Sequence, residues 1–230
     1  MRTQKNFKVL ITGTSQGIGL SSALRFLTEG YAVVGVDLLP PSNSLKCFCN
    51  YTHLQYSIED PDLPIPDNIG ILVNNAGVQN SEDDIDFNLK STIDFTEKIL
   101  DTSTEVLKSI LFVASASAHS GAEFAYYSAS KGGILSYMKN VARRCAKHRI
   151  TCNSISPGGV LTALNDPVVK DRTLWNKLMK ITPMKKWMTA EECADWIYFM
   201  TVINKSCTGV DILIDNGENS IPVSTEFIWT

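Results

Sequence analysis

Short runs of β-branched and other apolar residues alternate along the chain with longer stretches that have the period of amphipathic helices. Several runs are apolar at every position, as expected of strands that helices cover on both faces. The runs that predict strands are FKVLIT, YAVVGVD, HLQYSI, GILVNN, SILFVAS, ITCNSISP and GVDILID, and helices are predicted at 17–29, 84–100, 126–147 and 190–203. This alternation predicts an α/β fold with a doubly wound parallel sheet.

The segment EDPDLPIPDN at 59–68 interrupts the alternation between two predicted strands. It contains three prolines and has no helical period. Each proline fixes φ and removes a backbone donor, so a full helix is disfavoured there. We therefore expect the third crossover helix to be lost and replaced by an extended loop.

Composition is that of a globular protein with one domain, 1–230. Of 230 residues, 44% are hydrophobic and 20% are charged, which is enough apolar material for a substantial core. The net charge of -3 argues against nucleic acid as a partner, and we interpret the basic run RRCAKHR at 143–149 as a solvated helix end. No apolar segment approaches the ~18 residues of a membrane span, and FKVLITG begins without a leader pattern. We therefore expect a cytoplasmic protein without membrane contact.

The six cysteines form neither a C-x-x-C pair nor a dense framework. This pattern favours reduced structural thiols over disulfides. The CFC at 47–49 has no second pair of ligands in the sequence, so we expect no metal site.

A glycine-rich turn, TGTSQGIG at 12–19, follows the first predicted strand and opens the first helix. Glycines suit a sharp turn where backbone approaches a pyrophosphate, and the helix directs its N-terminal amides at that anion. Asp37 ends the second strand, where a carboxylate can accept hydrogen bonds from the adenosine ribose in a Rossmann-type fold. Because the carboxylate repels a 2′-phosphate and the loop lacks Arg and Lys, the sequence favours NAD over NADP. The alternative is that Asp37 only caps an exposed turn.

Two adjacent tyrosines precede a lysine in AEFAYYSASKGG, residues 122–133. Tyr127 is four residues before Lys131 and shares a helix face with it, whereas Tyr126 is five before and points elsewhere. A cation at ~4 Å in an effective dielectric of ~20 contributes about 4 kcal/mol, which lowers the pKa of a phenol from about 10 toward the working pH. Tyr127 is therefore the candidate proton donor. The alternative is an interfacial aromatic beside an ordinary surface lysine.

Five motifs in order resemble the short-chain dehydrogenase/reductase family over nearly the whole chain. TGTSQGIG resembles its cofactor loop, NNAG (74–77) its fourth-strand motif and YSASK (127–131) its active-site motif, while SPGGVLT (156–162) is similar to its nicotinamide-side loop and VDILIDNG to its final strand. The resemblance implies an NAD(H)-dependent oxidoreductase that interconverts a secondary alcohol and a ketone by hydride transfer, in a homotetramer or homodimer. It also implies that Lys131 holds the nicotinamide ribose.

The resemblance implies further cofactor contacts. Where the family often has an aspartate near the end of the third strand, this chain has Ser57, with Ile58 available for apolar contact with adenine. The full set of expected cofactor-binding residues is Gly13, Ser15, Gln16, Gly17, Ile18, Gly19, Asp37, Leu38, Ser57, Ile58, Asn75, Ala76, Gly77, Tyr127, Lys131, Pro157, Gly158, Val160 and Thr162.

A donor to the developing oxyanion is expected at the end of the fifth strand, in FVASASAHSG. The position at which the family carries this serine is Ala114 here, so Ser115 is the candidate. Ser117 faces the same side if the strand continues and is the alternative.

The resemblance also implies an asparagine that holds a water in a proton relay, and Asn88 in DDIDFNLKST takes that place. Its distance from Gly77 along the chain is shorter than is usual for the family. A mid-helix asparagine without a catalytic role is the alternative.

Residues 161–184 are long enough for a substrate lid. Their apolar side chains either line a substrate pocket or form the buried stripe of an amphipathic helix, and they are Leu164, Val168, Leu174, Trp175, Leu178 and Met179. In the tail, 218–230, Phe227, Ile228 and Trp229 are costly to leave in water. The tail could dock on a neighbouring subunit, cover an active site, or be frayed, and the sequence leaves these three alternatives open.

Other functions compatible with these motifs are a 3-oxoacyl thioester reductase and a dihydrodiol-type dehydrogenase, the latter favoured by VASASAH. A non-enzymatic NAD-sensing or scaffold protein belongs to a different class. An intact set of Asn88, Ser115, Tyr127 and Lys131 argues against it, because a protein without catalysis has no physical need for all four.

Overall fold

Parallel strands form the centre of the protein. The computed structural model describes residues 6–79, 82–122, 124–219 and 221. Within these ranges, one seven-stranded sheet has the order β3-β2-β1-β4-β5-β6-β9. Its strands are β1 (Lys8–Thr12), β2 (Ala32–Val36), β3 (Tyr51–Leu54), β4 (Ile69–Asn74), β5 (Ser109–Val113), β6 (Thr151–Pro157) and β9 (Asp211–Ile214). Two short strands, β7 (Val160–Leu161) and β8 (Met188–Thr189), pair with each other.

Helices connect the strands and cover the sheet. They are α1 (Gly17–Thr28), α2 (Asn43–Lys46), α3 (Thr92–Ser103), α4 (Ser117–Ser120), α5 (Ala125–Cys145), α6 (Asp166–Lys170), α7 (Arg172–Ile181) and α8 (Ala190–Tyr198). A π-helical turn, Asp86–Ser91, leads into α3, and another, Phe199–Ile203, continues α8. Short 3₁₀ turns occupy Ala146–His148 and Ala163–Asn165.

The core has two layers, one on each face of the sheet. Successive side chains of a strand point to opposite faces. Accordingly, Leu10 of β1 packs into a cluster with Phe95 of α3 and Met138 of α5. Its neighbour Val9 packs into a second cluster with Phe26 of α1, on the other face. This confirms the predicted Rossmann-type doubly wound sheet with helices on both faces.

The strand order reverses between β1 and β4, which lie side by side near the centre of the sheet. In such sheets the crevice beyond the carboxyl ends of the strands, at the point of reversal, is where ligands bind. The cofactor loop at 12–19 and the NNAG motif at 74–77 both lie at this edge.

The prediction for the third strand is partly wrong. The strand is Tyr51–Leu54, so only the first two residues of HLQYSI belong to it. Chain direction changes there because the backbone N–H of Tyr56 donates to the carbonyl of Leu54 at 3.1 Å. The apolar Ile58 and Leu63 of the following loop are buried in the core, so their apolarity reflects burial and not a strand. The connection to β4 has no helix, as predicted.

Several other predictions concern features other than the arrangement of the strands. Cys145 and Cys152 are buried with free thiols. No helix in the described ranges combines the length and apolarity that crossing a bilayer requires. The tail residues Phe227, Ile228 and Trp229 lie outside the described residues.

Candidate active site

Close packing in the cofactor loop requires its glycines. Gly13 has φ of +76°, which lies in the left-handed region that glycine tolerates best. A Cβ on Gly19 would lie 1.9 Å from the carbonyl oxygen of Gly13, so a side chain there cannot be accommodated. Gln16 is the exposed N-cap of α1, which begins at Gly17. The loop thus presents bare backbone and the positive end of a helix dipole, as a diphosphate requires.

Asn75 of the NNAG motif fastens two loops together. Its Nδ2 donates to the carbonyl oxygens of Thr12 at 2.9 Å and Gly13 at 3.2 Å. In return, the Thr12 hydroxyl oxygen accepts the backbone N–H groups of Asn75 and Ala76, both at 3.0 Å. The side chain of Asn75 therefore shapes the cofactor loop from inside the protein.

Asp37 joins the cofactor loop to the turn that follows β2. One carboxylate oxygen accepts the backbone N–H of Ser15 at 2.8 Å, and the other accepts that of Leu39 at 2.9 Å. Each oxygen retains a lone pair for a further donor such as a ribose hydroxyl. Leu38, next to it, is 61% exposed.

The two expected adenine contacts differ from each other. Ser57 is half-buried, and its hydroxyl oxygen accepts the backbone N–H of Glu59 at 3.2 Å. Ile58 is only 5% exposed because its side chain packs in the core. Little of the Ile58 side chain is therefore accessible to an adenine, and the contact with Ile58 stays a prediction.

Lys131 is a buried cation on α5. It is 5% exposed, and its Nζ donates to the carbonyl oxygen of Val113, the last residue of β5, at 3.0 Å. Nζ lies 5.7 Å from the ring centroid of the half-buried Tyr127, while Tyr126 is 60% exposed. Burial lowers the pKa of Lys131 to about 8, and the fully buried Asp84 acts in the opposite direction. Lys131 is therefore not an ordinary surface lysine.

Asn88 lies in the π-helical turn before α3, a type of turn that is frequent at functional sites. Its Nδ2 donates to the carbonyl of Val78 at 2.8 Å and to the Ser130 hydroxyl at 3.2 Å, and its Oδ1 accepts the N–H of Val78 at 2.8 Å. Asn88 and Lys131 line the same small cleft. The side chain of Asn88 thus fixes the loop after NNAG against α5.

Ser115 and Ser117 form a hydrogen-bonded pair. Strand β5 ends at Val113, so Ser117 does not share a strand face with Ser115, and the condition for Ser117 as the alternative is not met. Ser117 begins α4, is 4% exposed, and donates its hydroxyl at 2.9 Å and its backbone N–H at 3.2 Å to the Ser115 oxygen. Ser115 keeps its own O–H free to donate, and the two bonds that it accepts polarise that group.

The nicotinamide-side loop approaches the cofactor loop. The Thr162 methyl carbon lies 3.5 Å from where a Cβ on Gly17 would be. A Cβ on Gly159 would lie 2.0 Å from the indole of Trp187, so this glycine allows the ring to pack on the loop. Pro157 ends β6, and Val160 is buried in β7. Thr162 therefore lies beside the N-terminus of α1, next to the backbone that the cofactor loop presents.

Sequence reasoning missed three features of this region. These are the buried Asp84 near Lys131, the support that Ser117 gives to Ser115, and the hydrogen bonds of Tyr51 and His53 behind the cofactor loop. Only the bond between Ser117 and Ser115 could have been found from the local sequence, because hydroxyl residues two apart often bond to each other or to nearby backbone.

Comparison with known proteins identifies the family. Residues 66–219 match the family model described as Enoyl-(Acyl carrier protein) reductase. The short chain dehydrogenase ausX of Aspergillus calidoustus is 34% identical over 73% of this chain and 75% of its own. The 3-oxoacyl-[acyl-carrier-protein] reductase FabG of Buchnera aphidicola is 28% identical over 90% of this chain and 95% of its own.

A solved structure gives the same result. A candidate 2-deoxy-d-gluconate 3-dehydrogenase from Agrobacterium tumefaciens, with bound NADP, has a TM-score of 0.83 and 25% identity, and the match covers 93% of this chain and 96% of that one. The chain belongs to the short-chain dehydrogenase/reductase family. It is an oxidoreductase, and the resemblance seen in its motifs is confirmed.

Proposed function

We propose that this protein is an NAD(H)-dependent oxidoreductase that interconverts a secondary alcohol and a ketone by hydride transfer. The observation that carries this proposal is the burial of Lys131 beside Tyr127, with Nζ fixed to the end of β5, where Ser115 follows. Burying the amine of Lys131 to 5% exposure costs folding free energy. A requirement for this amine in catalysis explains why the cost is accepted.

The cofactor would lie along the carboxyl edge of the sheet, with its diphosphate held by the loop at 12–19 and by Thr162. NAD is favoured because the carboxylate of Asp37 can accept ribose hydroxyls and repels a 2′-phosphate. The NADP in the Agrobacterium protein belongs to that protein. In this chain, the charge of Asp37 supports NAD.

A bound nicotinamide would supply the hydride acceptor or donor. In the reductive direction, Ser115 donates a hydrogen bond to the substrate oxygen and Tyr127 transfers its phenolic proton to that oxygen. Lys131 lowers the cost of the phenolate that is left. In the oxidative direction, the phenolate accepts the alcohol proton. Asn88 holds the loop after NNAG against α5 through its hydrogen bonds to Val78 and Ser130.

The lid favours an apolar substrate. None of the six apolar lid residues named from the sequence is buried, and Leu164 is 63% exposed while Leu174 is 39% exposed. This exposure supports a substrate-facing role for these residues over a buried stripe. Trp175 packs edge-on against Trp187 at 5.1 Å, which fixes α7 to the nicotinamide-side loop.

Two narrower activities are compatible with this site. The name of the Buchnera relative favours a 3-oxoacyl thioester reductase, and VASASAH favours a dihydrodiol-type dehydrogenase. We also propose a homotetramer or homodimer that packs through α3 and α5.

The test is a fluorescence titration of the protein with NADH and NADPH separately, followed by turnover with the tighter ligand. The panel comprises bulky apolar ketones and alcohols, 3-oxoacyl thioesters and dihydrodiols. We expect tighter binding of NADH and turnover of at least one ketone. Binding of neither nucleotide, or NADH binding without turnover of any compound in the panel, would overturn the proposal.

A further inference from the structure

A hydrogen-bonded chain runs from the cofactor loop through Tyr51 and His53 to Leu39, three residues that none of the five motifs includes. The hydroxyl groups of Thr14 and Tyr51 are 3.0 Å apart, and the Tyr51 hydroxyl lies 2.9 Å from Nδ1 of His53. Nε2 of His53 lies 2.9 Å from the carbonyl oxygen of Leu39. The chain thus begins in the cofactor loop and ends in the turn after Asp37.

The direction of the bonds follows from the groups at the ends. A carbonyl oxygen only accepts, so Nε2 of His53 carries a proton, and in the neutral form of the ring Nδ1 accepts from Tyr51. The oxygen of Tyr51 then accepts the hydroxyl of Thr14. Burial raises the pKa of Tyr51, which keeps the phenol protonated as this arrangement requires.

The space for the chain is provided by a glycine on β2. A Cβ on Gly35 would lie 2.2 Å from the Tyr51 hydroxyl oxygen and 2.3 Å from that of Thr14. Any other residue at this position would separate the two groups. Thr14 is fully buried, so breaking the chain would leave its hydroxyl without water as a replacement partner.

The far end of the chain holds the residues that would face the adenosine. The carbonyl of Leu39 also accepts the Ser15 hydroxyl at 3.0 Å, and the backbone N–H of Leu39 donates to Asp37 at 2.9 Å. Next to it, Gln55 donates to the carbonyl of Leu38 at 3.2 Å. Strand β3 therefore fixes this turn from behind, while Ser15 ties it to the cofactor loop.

We propose that Tyr51 and His53 are positioning residues for the adenosine half of the cofactor. They hold Thr14 and Ser15 at a fixed separation from the Asp37–Leu39 turn, and they act through those groups without contacting the nucleotide. The proposal rests on the proposed function, because it assumes that a dinucleotide binds at this edge.

The test compares Tyr51→Phe with the wild-type protein. Loss of the Tyr51 hydroxyl removes two of the three bonds of the chain, those to Thr14 and to His53. We expect the Kd for NADH and the Kd for ADP-ribose to rise together by about 3- to 10-fold, the size of one or two lost hydrogen bonds. With a ketone that the wild type reduces, kcat at saturating NADH should stay within about 2-fold, because the proton-transfer groups are untouched.

Tyr137→Phe is the matched control. The hydroxyl of Tyr137 donates to Glu97 at 2.7 Å and lies between α3 and α5, away from the cofactor loop. This variant should lower the melting temperature without changing the Kd for NADH. It therefore separates loss of a buried hydroxyl in general from loss of the positioning chain.

His53→Leu is a second variant, at the more accessible end of the chain, for the case that Tyr51→Phe does not fold. It should weaken NADH and ADP-ribose binding by about 2- to 5-fold. Unchanged affinity in the folded variants, with the wild type binding NADH, would overturn this proposal alone. A wild type that binds no NADH would overturn the proposed function and this proposal together.

Discussion

Nζ of Lys131 donates a hydrogen bond to the carbonyl oxygen of Val113, and this bond joins the middle of the helix that carries Tyr127 to the end of the strand before Ser115. The lysine is almost completely buried, and burial lowers its pKa to about 8. The site thus keeps a cation where desolvation opposes one. Stability and activity should therefore make opposite demands on this residue.

Lys131→Met should raise stability and abolish activity. In the unfolded chain, the lysine pKa is near ~10.4, so the unfolded state binds more protons between about pH 8 and pH 10.4. Unfolding free energy therefore rises with pH through that window, and the cost of burial is fully present below about pH 8. We expect the variant to gain about 1–2 kcal/mol at pH 7 and to lose this pH dependence.

Denaturant unfolding between pH 7 and pH 10 measures this effect. Lys139→Met, an exposed lysine on the same helix, is the control and should change neither stability nor its pH dependence by more than about 0.5 kcal/mol. Lower stability of Lys131→Met than of the wild type at pH 7 would contradict the expectation.

Asp37→Ala should weaken NADH binding and reduce the preference for NADH over NADPH. Loss of charge-assisted hydrogen bonds to the ribose would raise the Kd for NADH about 10- to 100-fold, while removal of the negative charge favours the 2′-phosphate. Fluorescence titration of both nucleotides measures the ratio. Asp62→Ala, in the exposed loop before β4, is the control. An unchanged ratio would show that Asp37 only caps its turn.

Ser115→Ala and Ser117→Ala should lower kcat by different factors. Removing the direct donor to the substrate oxygen should lower kcat by about 100-fold or more, whereas removing Ser117 only loosens Ser115 and should cost about 10-fold. Because Ser117 acts through Ser115, the double variant should be no slower than Ser115→Ala. A larger loss in Ser117→Ala than in Ser115→Ala would exchange the two roles.

Gly159→Ala should destabilise the protein because the added methyl group meets the Trp187 indole. We expect a loss of about 1–3 kcal/mol in unfolding free energy. Gly132→Ala, where the nearest atom would be 4.0 Å away within α5, should instead stabilise by about 0.5–1 kcal/mol. Equal effects in thermal unfolding would mean that the Trp187 contact is not maintained in solution.

Much of the fold could be predicted from the sequence because buried parallel strands are apolar on both faces, as Ile69–Asn74 is up to its final asparagine. The same signal gave a wrong prediction of strand at 55–58, because Ile58 is apolar as a buried residue of a loop. Within the site, Tyr127 and Lys131 were identified because helix periodicity is local. The chain through Thr14 and Tyr51 joins residues 37 apart, and no local pattern encodes such a pairing.

The most direct test of the account is Tyr127→Phe, measured for NADH binding and for turnover of whichever ketone the wild type reduces. The account predicts an unchanged Kd for NADH and a loss in kcat of about 100-fold or more, since only the transferable proton is removed. Tyr126→Phe, the exposed neighbour, should retain full activity. A Tyr127→Phe variant with wild-type kcat would contradict the mechanism.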